Sequence, residues 1–218
     1  MRSRQRVIDH GEVFTPPKLV SDMLDLVAHE CERLDSRFLE PACGDGAFLV
    51  EVLRRKLRTA TVRHRKNADR WTRDAFIAVS SLYGVELLPD NVAACRARLL
   101  EAVTAAFREQ FGRPMDDAPR DALAYVLSVN ILQGDALTLK DAAGRPIVFP
   151  EWSMLPGGRV KRRDYAFHEL IEPHRGKVEW SAIESDEGRK VFLPQAVRNY
   201  PLCPYVKVAE QAVRGVAA

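Results

Sequence analysis

Phe38-Leu39-Glu40-Pro41-Ala42-Cys43-Gly44-Asp45-Gly46-Ala47-Phe48-Leu49 decides how this chain reads. A short apolar run over residues 36–40 stops at Pro41 and a glycine pair. An apolar stripe at helical spacing, Phe48, Leu49, Val52 and Leu53, follows at once. The pattern predicts a strand, a tight turn through Gly44 and Gly46, and a helix from about Gly46. Glycine in such a turn tolerates positive φ and lets a ligand approach the backbone, while the helix N-terminus behind it offers free N–H donors. The implication is a nucleotide-like ligand; a purely structural turn is the alternative.

Upstream, Thr15-Pro16-Pro17 supplies a cap and a first-turn proline, and Leu19, Met23, Leu26 and Val27 recur at helical spacing, which predicts an amphipathic helix over 16–34. Downstream, a basic insert near 58–74 interrupts the pattern. Residues 76–87 (FIAVSSLYGVEL) then read as a buried strand, and Pro89-Asp90-Asn91 opens a long helix carrying Val92, Cys95, Leu99, Leu100 and Val103. A polar connection over 112–120 leads to a short helix at 120–127 and a third strand, Val129 to Leu132, ending at Gly134-Asp135. Strands alternating with helices predict an α/β fold. Beyond Leu139 the pattern weakens among seven prolines, with short strands expected near 146–149 and 190–193. Residues 1–145 read as one core with the basic insert, and 146–218 as its C-terminal completion.

The 218 residues are 46% hydrophobic and 29% charged, which excludes a fibrous or wholly disordered chain. No apolar run approaches the ~18 residues of a membrane span. The basic start, Met1 to Arg6, is not followed by the apolar segment of a signal peptide, so the expected compartment is the cytoplasm and no membrane partner is expected. Cys31, Cys43, Cys95 and Cys203 form no C-x-x-C pair, which argues against a zinc site or a disulfide framework. Net charge is only +3, yet residues 54–73 hold nine Lys/Arg against one Asp, and Arg159, Lys161, Arg162 and Arg163 form a second basic knot. With Arg63, Arg65 and Lys66 these are the candidate contacts to a polyanion such as a nucleic acid; a solvated basic surface is the alternative.

Two acids sharpen the glycine turn. Glu86, in Tyr83-Gly84-Val85-Glu86-Leu87, falls at the end of the second strand, where a carboxylate can accept both hydroxyls of a ribose. Asp135, in Gln133-Gly134-Asp135-Ala136-Leu137, falls at the end of the third, suited to an adenine amino group. Taken in order, GEVFTPP (11–17), FLEPACGDGAFL (38–49), YGVELLPDN (83–91) and QGDAL (133–137) resemble the adenine-specific, S-adenosylmethionine-dependent DNA methyltransferases of restriction–modification systems, over residues 10–139. The resemblance implies a Rossmann-like class I methyltransferase fold with a mostly parallel sheet and helices on both faces. It further implies S-adenosylmethionine as cofactor. Phe14, Thr15 and Pro16 would touch its methionine end. Glu40, Pro41, Ala42, Gly44 and Gly46 would form the turn beneath it, and Glu86 would hold the ribose. Leu87 would lie on the adenine face, Asp135 and Ala136 at its edge, and Phe48 would cap the pocket or pack in the core. A P-loop is excluded because no Gly-Lys-Ser/Thr follows, and a dinucleotide site is disfavoured because Leu49 stands where the third glycine belongs.

In that family an Asn/Asp/Ser-Pro-Pro-aromatic tetrapeptide holds the flipped adenine, and this sequence contains none. Phe149-Pro150-Glu151-Trp152 comes nearest, with Glu151 as acceptor and Trp152 as stacking ring; Asn199-Tyr200-Pro201-Leu202 has the order wrong. After Asp135 only 83 residues remain, too few for a separate target-recognition domain as well. Three readings follow: a compact DNA adenine methyltransferase, of a restriction–modification or mobile-element system, whose base-holding loop is divergent or comes from a partner subunit; an inactive cofactor-binding accessory subunit; or methylation of RNA or protein.

Overall fold

The computed structural model describes residues 15–171 and 194–212. Phe14, the expected strand near 190–193 and the remaining terminal residues lie outside the described residues. In chain order come α1 (Pro17–Asp25), α2 (Ala28–Glu32), β1 (Phe38–Glu40), α3 (Ala47–Arg63), α4 (Ala68–Ser80), β2 (Leu82–Glu86), α5 (Pro89–Phe111), α6 (Asp117–Asn130) and β3 (Ile131–Asp135). There follow β4 (Lys140–Asp141), β5 (Val148–Leu155), β6 (Arg159–Ala166), α7 (Phe167–Ile171), β7 (Arg198–Asn199), β8 (Cys203–Pro204) and a 3₁₀ segment, Tyr205–Ala212.

The fold is α/β. β1, β2 and β3 are parallel, with Glu40 beside Gly84 and Glu86 beside Gln133, and β4 adds antiparallel to β3. β1 forms one edge of this sheet. Leu82 and Ile131 turn into a large core shared with α3, α4, α5 and α6. Tyr83 and Val85 turn the other way, onto Ile147, Phe149 and Phe167. β5 and β6 form a long antiparallel hairpin, hooked to the sheet where the Tyr83 hydroxyl donates to the Pro150 carbonyl at 2.9 Å. Its Val160 and Trp152 pack into the large core.

Several elements differ from the sequence-based expectations. The helix expected over 16–34 breaks after Asp25, where the Leu26 and Val27 amides bond three residues back, to Met23 and Leu24. The basic insert is regular: α3 runs through it to Arg63, and α4 begins at Ala68 behind Asn67, whose side chain accepts from the Arg70 amide at 2.9 Å. Residues 76–80 belong to that helix rather than to a strand, because Trp71, Ala75, Phe76 and Val79 fall on one buried helical face. α6 is longer than expected, and the third strand starts at Ile131. The hairpin was legible only as a short strand near 146–149. Pro150 and the alternating cations of β6 hid it, although Val160, Arg162 and Asp164 all turn inward.

Buried polar groups fix how the layers meet. Lys56, fully buried on α3, donates to the carbonyls of Arg33, Leu34 and Ser36 and to the Ser81 hydroxyl at 2.9 Å, tying the approaches to β1 and β2 to one helix. Asn130 donates to the Ser80 and Leu82 carbonyls and accepts from the Trp152 indole N–H at 2.9 Å, joining α6, α4, β2 and the hairpin. Replacing Lys56 with Met strands these acceptors without a donor, and Lys56→Met should cost about 2–4 kcal/mol in urea unfolding. Burial pushes the Lys56 ammonium down to about 8, against about 10.4 in the unfolded chain. Over that interval the unfolded chain binds a proton that the folded one lacks, so this group's contribution to stability rises with pH. The stability gap between wild type and Lys56→Met should therefore widen as pH is raised from about 8 to about 10; a constant gap would contradict the assignment.

Candidate functional site

Parallel pairing brings the C-terminal ends of β1, β2 and β3 to one side of the sheet, where Glu40, Glu86 and Asp135 end their strands. The turn after β1 is held by the Cys43 amide, which donates to the Val85 carbonyl at 3.0 Å, and by the Gly46 amide, which donates to the Cys43 carbonyl at 2.8 Å. Its two glycines serve different ends. Gly46, at φ +86, caps α3, and a Cβ there would lie 2.6 Å from the Cys95 sulfur, so this glycine lets the turn press on α5. Gly44, at φ +52, would place a Cβ in open space, with nothing within 4 Å. Here the left-handed backbone borders open space, as it also does at Gly112, Gly144 and Gly157. Asp45 fills the position between them as an anchor: its carboxylate pairs with Arg98 of α5 at 2.6 Å. Beneath the turn Cys43 sits against Cys95, and that contact together with burial pushes the Cys43 thiol up.

Glu86 links this turn to the next. One carboxylate oxygen accepts from the Gly44 amide at 2.9 Å, and the other from the Leu88 amide at 3.0 Å and the Asn91 side chain at 3.4 Å. A carboxylate offers about four lone-pair directions, so acceptor capacity remains after these bonds. At the end of β3, Asp135 accepts from the Leu137 amide at 2.8 Å, which holds its carboxyl below the ordinary value. Burial pushes the Glu40 carboxyl up. Leu87 is 56% exposed and Leu137 95% exposed, apolar side chains standing in solvent beside Glu86 and Asp135. Pro41 and Ala42 are exposed, and Ala136 is half-buried against the smaller core cluster. Sequence reasoning missed Leu137, though it closes the Gln-Gly-Asp-Ala-Leu stretch. It also missed Arg98, and it placed Cys95 only on the apolar stripe of the helix after Pro89; the contact of both with the turn comes from the packing of α5.

The structure thus brings Glu40, Pro41, Ala42, Gly44, Gly46, Glu86, Leu87, Asp135 and Ala136 to one end of the sheet. Thr15 and Pro16 are exposed at the start of α1, which is clamped to α3 by Arg55 through Ser21 and Asp25. Phe48, half-buried, packs against the large core. The chain matches no family model, no curated protein and no solved structure. Among the described residues no group of His, Cys, Asp or Glu could hold a metal ion.

The expected base-holding pair is elsewhere and otherwise engaged. Trp152 donates its indole N–H to Asn130, meets Phe76 edge-on at 6.1 Å between centroids, and lies 5.2 Å from the Arg162 guanidinium. Its ring is spent on packing. Glu151 pairs with Arg37 at 2.7 Å and Arg163 at 2.9 Å, lining a groove of about 630 Å³ with Leu39, Tyr83 and Phe149. Of the expected DNA contacts, Arg162 is a correction. It is buried, forms two bonds to Asp164 and stacks on Tyr200 at 4.2 Å, because even-numbered positions of β6 turn inward. Arg63 pairs with Asp74 at 3.8 Å; Arg65, Lys66 and Arg159 are exposed and Lys161 half-exposed, without ion pairs among the described residues.

The two glycines should separate in stability. Gly44→Ala bears only the left-handed backbone cost, about 1 kcal/mol. Gly46→Ala adds overpacking against Cys95, for a total of about 2–4 kcal/mol. Thermal unfolding of the two variants checks this, and equal losses would refute the packing role of Gly46.

Proposed function

We propose that this chain is a DNA adenine amino-group methyltransferase-like protein that binds S-adenosylmethionine at the C-terminal ends of β1, β2 and β3. On this reading its α/β fold is the Rossmann-like methyltransferase fold and its setting a cytoplasmic restriction–modification or mobile-element system. The observation that carries the reading is Glu86, whose carboxylate is fixed by the Gly44 and Leu88 amides beside the open face of Gly44. Those residues fit the cofactor. Gly44 leaves room for the methionine end, Glu86 retains capacity for ribose hydroxyls, and the exposed Leu87 and Leu137 suit the faces of an adenine, whose amino edge Asp135 can accept. The bound cofactor would supply an electrophilic methyl group. The chain's own part is to bind and orient it.

A specific observation favours the accessory form of this reading for the isolated chain. Methylation of an adenine amino group needs acceptors and a stacking ring beside the methyl donor. Trp152 is committed to Asn130 and Glu151 to two arginines, and neither is at the glycine turn. We therefore assign the base-holding groups to a partner subunit.

Calorimetry with S-adenosylmethionine and with its demethylated product should show binding at one site, and Glu86→Ala should weaken it by about 1–3 kcal/mol. Labelled methyl transfer to mixed genomic DNA should be absent for the chain alone. No heat with either compound would overturn the cofactor reading, and transfer by the chain alone would overturn the accessory one.

A further inference from the structure

We infer that the chain carries a second, separate binding surface for the phosphate backbone of duplex nucleic acid, built from Arg65, Lys66, Arg70, Arg73 and Arg159 at the far end of the α3–α4 hairpin. Two sequence-distant basic stretches meet there. The Arg73 guanidinium lies over the hairpin turn between β5 and β6: a Cβ on Gly158 would sit 3.2 Å from Arg73 Nε, and Arg159 is the next residue. Arg70 and Arg73 are one helical turn apart on α4, and Arg65 and Lys66 occupy the turn before it. Lys161 continues the outward face of β6 from Arg159.

Pairing separates these cations from their neighbours. Arg54, Arg55 and Arg58 converge on Glu51, Arg63 on Asp74, Arg162 on Asp164 and Arg163 on Glu151. Among the described residues the five patch cations, all exposed, make no ion pair; of the carboxylates beside them, Asp74 is taken by Arg63 and His64 and Asp116 by Arg113, and Asp69 makes no ion pair. Four of the five are arginines, whose planar fork matches phosphate oxygens. Val62 is the single large apolar side chain exposed nearby in α3, too little for a membrane or an apolar protein interface. Contacts of this kind position a duplex without reading its sequence.

The patch is remote from the glycine turn. α3 starts directly after Gly46 and runs 17 residues, about 25 Å at 1.5 Å per residue. Phosphate grip and cofactor binding are therefore separable, and this inference does not rest on the cofactor reading. The test is fluorescence anisotropy of a labelled duplex of mixed sequence with the full chain, no cofactor added, over about 50–200 mM salt. Arg70→Ala/Arg73→Ala should lower affinity about tenfold or more at the low-salt end and reduce the slope of log K against log salt by about 2, near one per lost phosphate contact. Arg159→Ala, on a different element, should reduce it by about 1. Arg54→Ala/Arg58→Ala, removing cations already paired with Glu51, should leave the slope unchanged. An unchanged slope in both patch variants, an equal loss in the control, or binding to phosphatidylserine vesicles without duplex binding would each overturn the inference.

Discussion

The carboxylate of Glu86 is the constraint on which the candidate site depends. Two loops leave the same end of the sheet, one toward α3 and one toward α5, and a single side chain accepts an amide from each. Without it the Gly44 and Leu88 amides would lack that acceptor, and the two turns would be tied only through the Cys43 amide on the Val85 carbonyl and through the contacts of Asp45 and Gly46 with α5. Lys56 does the corresponding work at the other end of the same strands, gathering three carbonyls ahead of β1 and the hydroxyl of Ser81 ahead of β2. An anion at the strand ends and a cation at the strand starts complement the backbone groups left over where the short parallel strands stop.

The same division explains which end of the molecule is suited to which partner. At the strand ends the open backbone of Gly44, an acid with spare acceptor capacity and two exposed leucines favour a small ligand with hydroxyls and a flat ring. At the far end of the α3–α4 hairpin, among the described residues, stand arginines and a lysine without a carboxylate ion-pair partner. Ion pairing determines this pattern. Six of the basic residues that make the sequence look uniformly cationic have carboxylate partners within the fold, three of them sharing Glu51, and Lys56 is buried on carbonyls.

The glycine turn was legible because it depends on local chemistry. A proline, two glycines and an apolar stripe need no tertiary information, and Glu86 and Asp135 could be placed by counting from their strands. Other features depended on contacts made across the chain. The run at 76–80 is apolar enough for strand or helix, and only the continuation of the Trp71, Ala75 and Val79 face decides for helix. Trp152 read as a free stacking ring because its partner, Asn130, is 22 residues away and is itself recruited by Ser80 and Leu82. Arg162 read as surface charge because a charged run looks solvated until strand alternation assigns every second member to the interior.

The central claim is that a nucleoside-bearing cofactor sits across the ends of the three parallel strands. Backbone amide NMR of the isotope-labelled chain, titrated with the demethylated cofactor, tests it most directly. The account predicts shifts concentrated at residues 42–46, 86–88 and 135–137, with the amides of Gly44 and Leu137 among the largest and those of α4 unmoved. Saturable shifts centred elsewhere, or none at any concentration that keeps the chain folded, would contradict it.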